Sequence, residues 1–261
     1  MSPQEAEAEL QRYLRLATFP VGIKLYQRAA ELPPEAKSPT RDLHIQVASC
    51  QTIGMARRYG WSIGLTAGDH CCAPGMMVLG FGAGKAQQFF EAGNVCRAMY
   101  TESAEAGART EATIDRFRHG EYEALWIAPL SKMTADPDVA VIYGNSAQVM
   151  RLVQGALWKE GGALTSITAG RLDCSQEIVR PLLTGECQYI LPCTGDRTIA
   201  LTADDEMAFS APWSRLPEVI EGLAQTHKHG IRYPTTPGYL KHTPDFPKTY
   251  DPLLELIRSE E

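Results

Sequence analysis

Two stretches of this chain repeat one another's apolar pattern in the same order, and that repetition limits the folds open to it more than any other feature. Val21-Gly-Ile-Lys-Leu-Tyr26 is echoed by Val139-Ala-Val-Ile-Tyr-Gly144. The run that ends Ala128-Pro129-Leu130-Ser131-Lys132 is echoed by Ala211-Pro212-Trp213-Ser214-Arg215. Between the members of each set lies a pair of cysteines, Cys50 with Cys72 and Cys174 with Cys193, each pair bracketing a helical segment and then a short apolar strand. The same parts in the same order twice are the mark of an internal duplication. The expected fold is α/β, with a mixed α+β arrangement also open, made of two related halves packed as one globular unit. Residues 1–135 would form the first half with an N-terminal helix, residues 136–230 the second half, and residues 231–261 a C-terminal arm.

Periodicity places the elements. Leu10, Tyr13, Leu14 and Ala17 follow helical spacing over Glu5 to Leu16, and Val21 to Tyr26 reads as a strand. Proline and charge between Ala30 and Thr40 predict an exposed loop. Helices are expected over Ala86 to Glu91, Ser103 to Phe117 and Leu216 to Lys228, and in the run from Asn145 to Gly161-Gly162, which opens on an Asn or Ser cap. Strands are expected at Ala124 to Pro129, Asp138 to Tyr143, Ala163 to Thr168, Gln188 to Leu191 and Thr198 to Thr202. The proline- and aromatic-rich run from Arg232 to Pro252 reads as an irregular arm over the surface or a neighbouring subunit, which makes a homo-oligomer plausible.

A chain of 261 residues buries enough surface to fold without covalent staples. Seven cysteines is an odd number, and the first residues are polar and acidic rather than basic then apolar, so the expectation is a cytoplasmic protein with reduced thiols. The net charge is −6 with no block of Lys or Arg, which leaves no electrostatic footprint for nucleic acid or anionic lipid. Apolar runs break within about ten residues, too short to span a bilayer.

Four thiols placed equivalently in two halves can converge on a shared axis. Thiolate sulfur is a soft donor that suits iron in both oxidation states, and four such donors bind an iron–sulfur cluster or zinc. Cys50 and Cys174 fall at predicted helix starts, while Cys72 and Cys193 are followed closely by Pro-Gly and Gly; helix N-termini lower a thiol pKa and offer N–H groups to sulfur. The competing reading is that several are small buried core residues, as free cysteine often is. Either of Cys71 and Cys72 could point inward, since neighbours on an extended segment face opposite ways; the Pro-Gly after Cys72 selects Cys72. Cys96 and Cys187 have no counterparts and read as structural.

Other residues carry weaker signals. Asp69-His70 precedes the first cysteines and could supply a proton, a metal ligand or only a local hydrogen bond. Gly195-Asp196-Arg197 puts a charge pair near Cys193, where Arg197 could hold an anion, orient the loop or pair within it. The glycine-rich run from Gly75 to Gly84 matches neither the P-loop nor the dinucleotide fingerprint, so close backbone packing explains it better than phosphate binding. His227-Lys228-His229 suits a helix C-terminus and carries no assigned chemistry.

The motifs Asp69-His70-x-Cys72, Pro137-Asp138-Val139, Ala147-Gln148-x-Met150-Arg151-Leu152, Pro181-Leu-Leu-Thr-Gly-Glu186, Pro192-Cys193-x-Gly195-Asp196-Arg197 and Asp204-Asp205-Glu206 resemble the family known as domain of unknown function 169. The likeness runs from the first strand to Arg232-Tyr233-Pro234. It implies a role for Cys50, Cys72, Cys174 and Cys193 and names no reaction and no metal.

The leading expectation is a [4Fe–4S] cluster on these four cysteines, with His70 and Arg197 behind them, in a protein of electron transfer or of reductive chemistry on a small substrate; that is compatible with an oxidoreductase and leaves the redox partner or small molecule unnamed. A second reading is a zinc-binding or metal-free protein with structural or redox-sensing cysteines that binds a small ligand beside Gly75 to Gly84. A third makes Cys72 a nucleophile with His70 as its base.

Overall fold

The computed structural model describes residues 1–235 and 243–259. Six strands, β1 (Val21–Tyr26), β2 (Ile63–Thr66), β3 (Ala124–Pro129), β4 (Val139–Asn145), β5 (Gln188–Ile190) and β6 (Glu206–Pro212), form one sheet in the order β2-β3-β1-β4-β6-β5. Every neighbouring pair is antiparallel. The fold is therefore mixed α and β on an antiparallel sheet.

The strand order reads the same from either edge inward. In the central pair Val21 faces Val141, Gly22 faces Ala140 and Ile23 faces Val139, a register unchanged when the two strands are exchanged. Val21 sits opposite Pro129 as Val139 sits opposite Pro212. Ile63 pairs with Ile127 at one edge as Gln188 pairs with Ser210 at the other. Pro129 and Pro212 then open matching 3-10 turns, Leu130–Lys132 and Trp213–Arg215. This is a likeness of topology and register, short of a demonstration of shared descent.

Both faces of the sheet are covered, which is why its inner strands read as continuous apolar runs rather than clean alternations. The helices are α1 (Pro3–Leu14), α2 (Pro39–Leu43), α3 (Ser49–Tyr59), α4 (Ala73–Val78), α5 (Lys85–Glu91), α6 (Ala104–Glu111), α7 (Ser146–Leu157), α8 (Arg180–Thr184), α9 (Thr194–Ile199), α10 (Leu216–Lys228) and α11 (Asp251–Ser259). On one face Trp126, Ala140, Ile142 and Phe209 pack against Leu10 and Leu14 of α1, Leu152 of α7 and Leu223 of α10. Full burial of each such leucine stabilises the fold by roughly 2 kcal/mol. Helices α7 and α10 cross so closely that a Cβ at Gly222 would lie 2.1 Å from the Gly155 carbonyl oxygen, which is why both positions are glycine.

The opposite face carries the cysteines. Ile23, Leu65, Leu125, Ile127, Val141 and Ile190 pack there against Ile53 of α3, Val78 of α4 and the segment from Leu172 to Val179. The glycine run belongs to this packing: Gly80 has φ of +76°, and a Cβ on it would meet the Arg118 carbonyl oxygen at 2.4 Å.

Some expected elements differ. Ala163 to Thr168 forms no strand; it follows the free edge of β5 and offers the Ser166 hydroxyl, which accepts the Tyr189 N–H at 2.9 Å, in place of a backbone ladder. Thr198 lies in α9 rather than a strand, its hydroxyl donating to the Thr194 carbonyl one turn back at 2.6 Å. The helix expected to reach Phe117 stops at Glu111, because the chain tightens into turns that carry Ile114 and Phe117 into the core. The C-terminal arm contains α11, which periodicity did not announce, and its residues 236–242 and 260–261 lie outside the described ones.

A cysteine-lined cavity between the two halves

The starts of α3, α4 and α9 and the turn before α8 converge on one cavity of about 160 Å³, and Cys50, Cys72, Cys174 and Cys193 all line it. Two of these come from each half. Cys71 is exposed, so the choice between neighbours falls on Cys72. Cys96 and Cys187 are buried and do not line the cavity.

Local structure explains the placement. Cys72 is the N-cap of α4 and Cys193 the N-cap of α9, both with extended backbone. Neither thiol makes a side-chain cap hydrogen bond to its helix. Cys50 lies in the first turn of α3. Cys174 leads into a π-helical turn, Ser175–Val179, a widening of the helix common at functional sites. Just before it Leu172 has φ of +54°, a left-handed conformation that costs a branched side chain about 1–2 kcal/mol. On an extended segment Arg171 to Cys174 would point to alternate sides; with this kink all four line the cavity.

The N–H groups of the two N-cap cysteines find different acceptors. His70 Nδ1 faces the Cys72 N–H at 3.1 Å, and its Nε2 faces the Ser49 N–H at 3.3 Å, so the ring links the starts of α3 and α4. A neutral imidazole has one lone-pair nitrogen, and the shorter contact, to Cys72, is the better acceptor geometry. Burial pushes His70 down to about 4, so the ring is neutral. In the second half Asp173 Oδ2 accepts the Cys193 N–H at 2.7 Å, and its Oδ1 accepts from the Cys193 thiol at 3.1 Å. Arg197 points elsewhere: it donates to the carbonyls of Pro192 at 3.1 Å, of Ala203, and of Glu206 at 3.4 Å. It shapes the loop after Cys193 and does not line the cavity.

Behind Cys174 and Cys193 lies a buried polar cluster that sequence reasoning missed. The Tyr143 hydroxyl is hydrogen-bonded to Glu177 and, at 3.0 Å, to Asp196. A phenol has one proton, so one of those carboxyls must donate and is itself protonated. Burial and the neighbouring Asp173 agree, pushing Asp196 up to about 7 and Glu177 well above the carboxylate range. The Arg57 guanidinium stacks 4.0 Å above the Tyr143 ring and binds Glu206 at 2.8 and 3.1 Å and Thr202 at 2.9 Å, tying α3 to the second half. The only sequence signal for this cluster was the acidic residues beside Cys174 and Cys193.

Burial raises all four cavity thiols, Cys193 up to about 12, with the Asp173 charge acting in the same direction there. Unliganded, they are neutral thiols. A bound metal cation would reverse this balance, since coordination deprotonates a thiol outright. Among the described residues no three His, Cys, Asp or Glu side chains stand close enough to hold one metal ion; the four sulfurs surround a space.

An antiparallel αβ fold with a buried, cysteine-lined cavity thus defines the class of protein. The chain belongs to the uncharacterised ArCR family, domain of unknown function 169, whose pattern it matches over residues 9–222. It is similar to uncharacterized protein MJ0308 of Methanocaldococcus jannaschii, with 23% identity over 204 residues that cover 78% of this chain and 85% of that protein. No solved structure matches it. Among the described residues no helix is long and apolar enough to cross a membrane.

Proposed function

We propose that the cavity holds a [4Fe–4S] cluster ligated by Cys50, Cys72, Cys174 and Cys193 and that the protein has a redox role, in electron transfer or in reduction of a small substrate. The observation that carries this reading is that these four thiols, drawn from both halves, line one cavity. The donor set fits the group: four soft sulfurs line one space, two of them on the N-cap residues of α4 and α9. A single zinc ion holds its sulfurs at about 2.3 Å and draws them together, whereas thiols spaced around a cavity suit a larger occupant. When bound, the cluster supplies one-electron chemistry. The protein's own part is to hold Cys72 and Cys193 through His70 and Asp173, beside an apolar lining of Val95, Met99, Tyr100 and Ile199 that is partly open to solvent.

All seven cysteines are free, which suits a reducing compartment such as the cytoplasm. The test is iron and acid-labile sulfide content, with a visible spectrum, on protein purified without oxygen, beside Cys193→Ser. About four irons and four sulfides per chain, lost in the variant, is the expected result; zinc or no metal in the wild type would overturn it.

A further inference from the structure

Among the residues that line the cavity Arg171 is the one base, set among two carboxylic acids and four thiols. Its side chain is 4% exposed. One terminal nitrogen donates to Glu111 Oε1 and to Cys96 Sγ, each at 2.6 Å, and the Cys96 thiol in turn donates to Glu111 at 3.1 Å. The guanidinium also lies 4.9 Å from the centre of the Tyr100 ring, and its Nε has no hydrogen-bond partner. Arg171 lines the cavity while its buried charge is held from outside the lining by Glu111 and Cys96, an arrangement that keeps a paired cation beside the four thiols. The anchoring gives Cys96, which lies off the cavity, its part in the site.

We propose that Arg171 is the positioning residue that sets the charge balance of the cavity, a fixed cation that stabilises the more negative, reduced state of the cluster and so raises its reduction potential. The inference rests on the cluster reading above. Reduction takes one electron from an external one-electron donor and adds one negative charge, with no bond made or broken and no proton required. In a cavity partly screened from solvent a fixed positive charge favours that state more than it would in water.

The experiment is a dithionite titration of anaerobically purified protein, followed by its visible spectrum, with iron, sulfide and Tm measured alongside. Arg171→Gln with Glu111→Gln removes the pair together and leaves no stranded buried charge; Arg171→Lys keeps the charge, and Glu111→Gln removes only the opposing one. The expected midpoint moves negative in the double variant, returns most of the way in Arg171→Lys and moves positive in Glu111→Gln, with cluster content retained. A double variant with full iron and sulfide and the wild-type midpoint overturns the role of Arg171 alone. If the double variant does not fold, an unmoved midpoint in Glu111→Gln overturns it. Wild-type protein without iron and sulfide overturns both the cluster and this role.

Discussion

The two N-cap cysteines meet the same requirement, an acceptor for their own N–H, with opposite chemistry. In the first half a neutral imidazole receives Cys72 at 3.1 Å; in the second a carboxyl receives Cys193 at 2.7 Å. Burial opposes charge on both acceptors, lowering the pKa of His70 and raising that of Asp173. The consequence is an asymmetric surround on a nearly symmetric sheet: a neutral imidazole stands behind the first pair of cysteines, and Glu177, Tyr143 and Asp196, which keep their protons, stand behind the second. Matching strand registers do not impose matching side chains around the cavity.

The strongest way to break the comparison is to cut the tie between the halves. Glu206→Gln leaves Arg57 buried without its anion and is expected to destabilise the protein by about 4 kcal/mol in urea denaturation. Burial pushes the Glu206 carboxyl up, but its hydrogen bonds to Arg57 win and hold it below its usual range. Its contribution is thus present above the unfolded pKa and lost as pH falls through the folded one, so the penalty of the variant shrinks in acid. A loss that is the same at pH 3 and pH 7 would contradict the ion pair.

The next contrast is the sign of the pH dependence, measured on metal-free protein. Folded His70 refuses a proton that the unfolded chain accepts below 6.5, so its contribution to stability falls as pH drops from 6.5 to about 4. Folded Asp196 keeps a proton up to about 7 that the unfolded chain loses near 3.8, so its contribution falls as pH rises through that window. His70→Gln should remove a positive slope that integrates to about 3 kcal/mol and Asp196→Asn a negative one that integrates to about 4 kcal/mol. Slopes of the same sign would erase the distinction between the walls.

Tyr143→Phe removes the group shared by Glu177 and Asp196 and should cost about 2 kcal/mol, with no change at the first-half wall; protection of the Cys72 and Cys193 amides from hydrogen exchange separates the two. Cys71→Ser, at an exposed site outside the cavity, should change stability by no more than about 0.5 kcal/mol and leave metal content intact.

What could be read in the sequence was what rests on apolar pattern and residue type. Strands β1, β3 and β4 are buried on both faces, so Val21, Ala124 and Val139 begin recognisable runs, and α10 falls on its periodicity from Leu216 to Lys228. The four cavity cysteines were legible because thiols in repeated contexts are rare. Arg171 was not, since its role depends on the φ of Leu172, which no residue type there demands. Tyr143 looked like one more apolar strand residue, because its hydroxyl finds partners thirty and more positions away. The β-branched Thr198 suggested a strand, but Cys193 caps a helix just upstream and the helix takes it in.

The cavity wall is assembled from four separate pieces, around Cys50, Cys72, Cys174 and Cys193. As the chain leaves the ribosome, the first two thiols emerge long before the last two. For that interval the early pair has no finished pocket, and the neutral His70 wall stands alone. The site closes only when β5 and β6 have joined the edge of β4, a late, long-range event. The cavity is therefore complete only when both ends of the sheet have folded, and no shorter stretch of the chain can assemble its four-thiol lining.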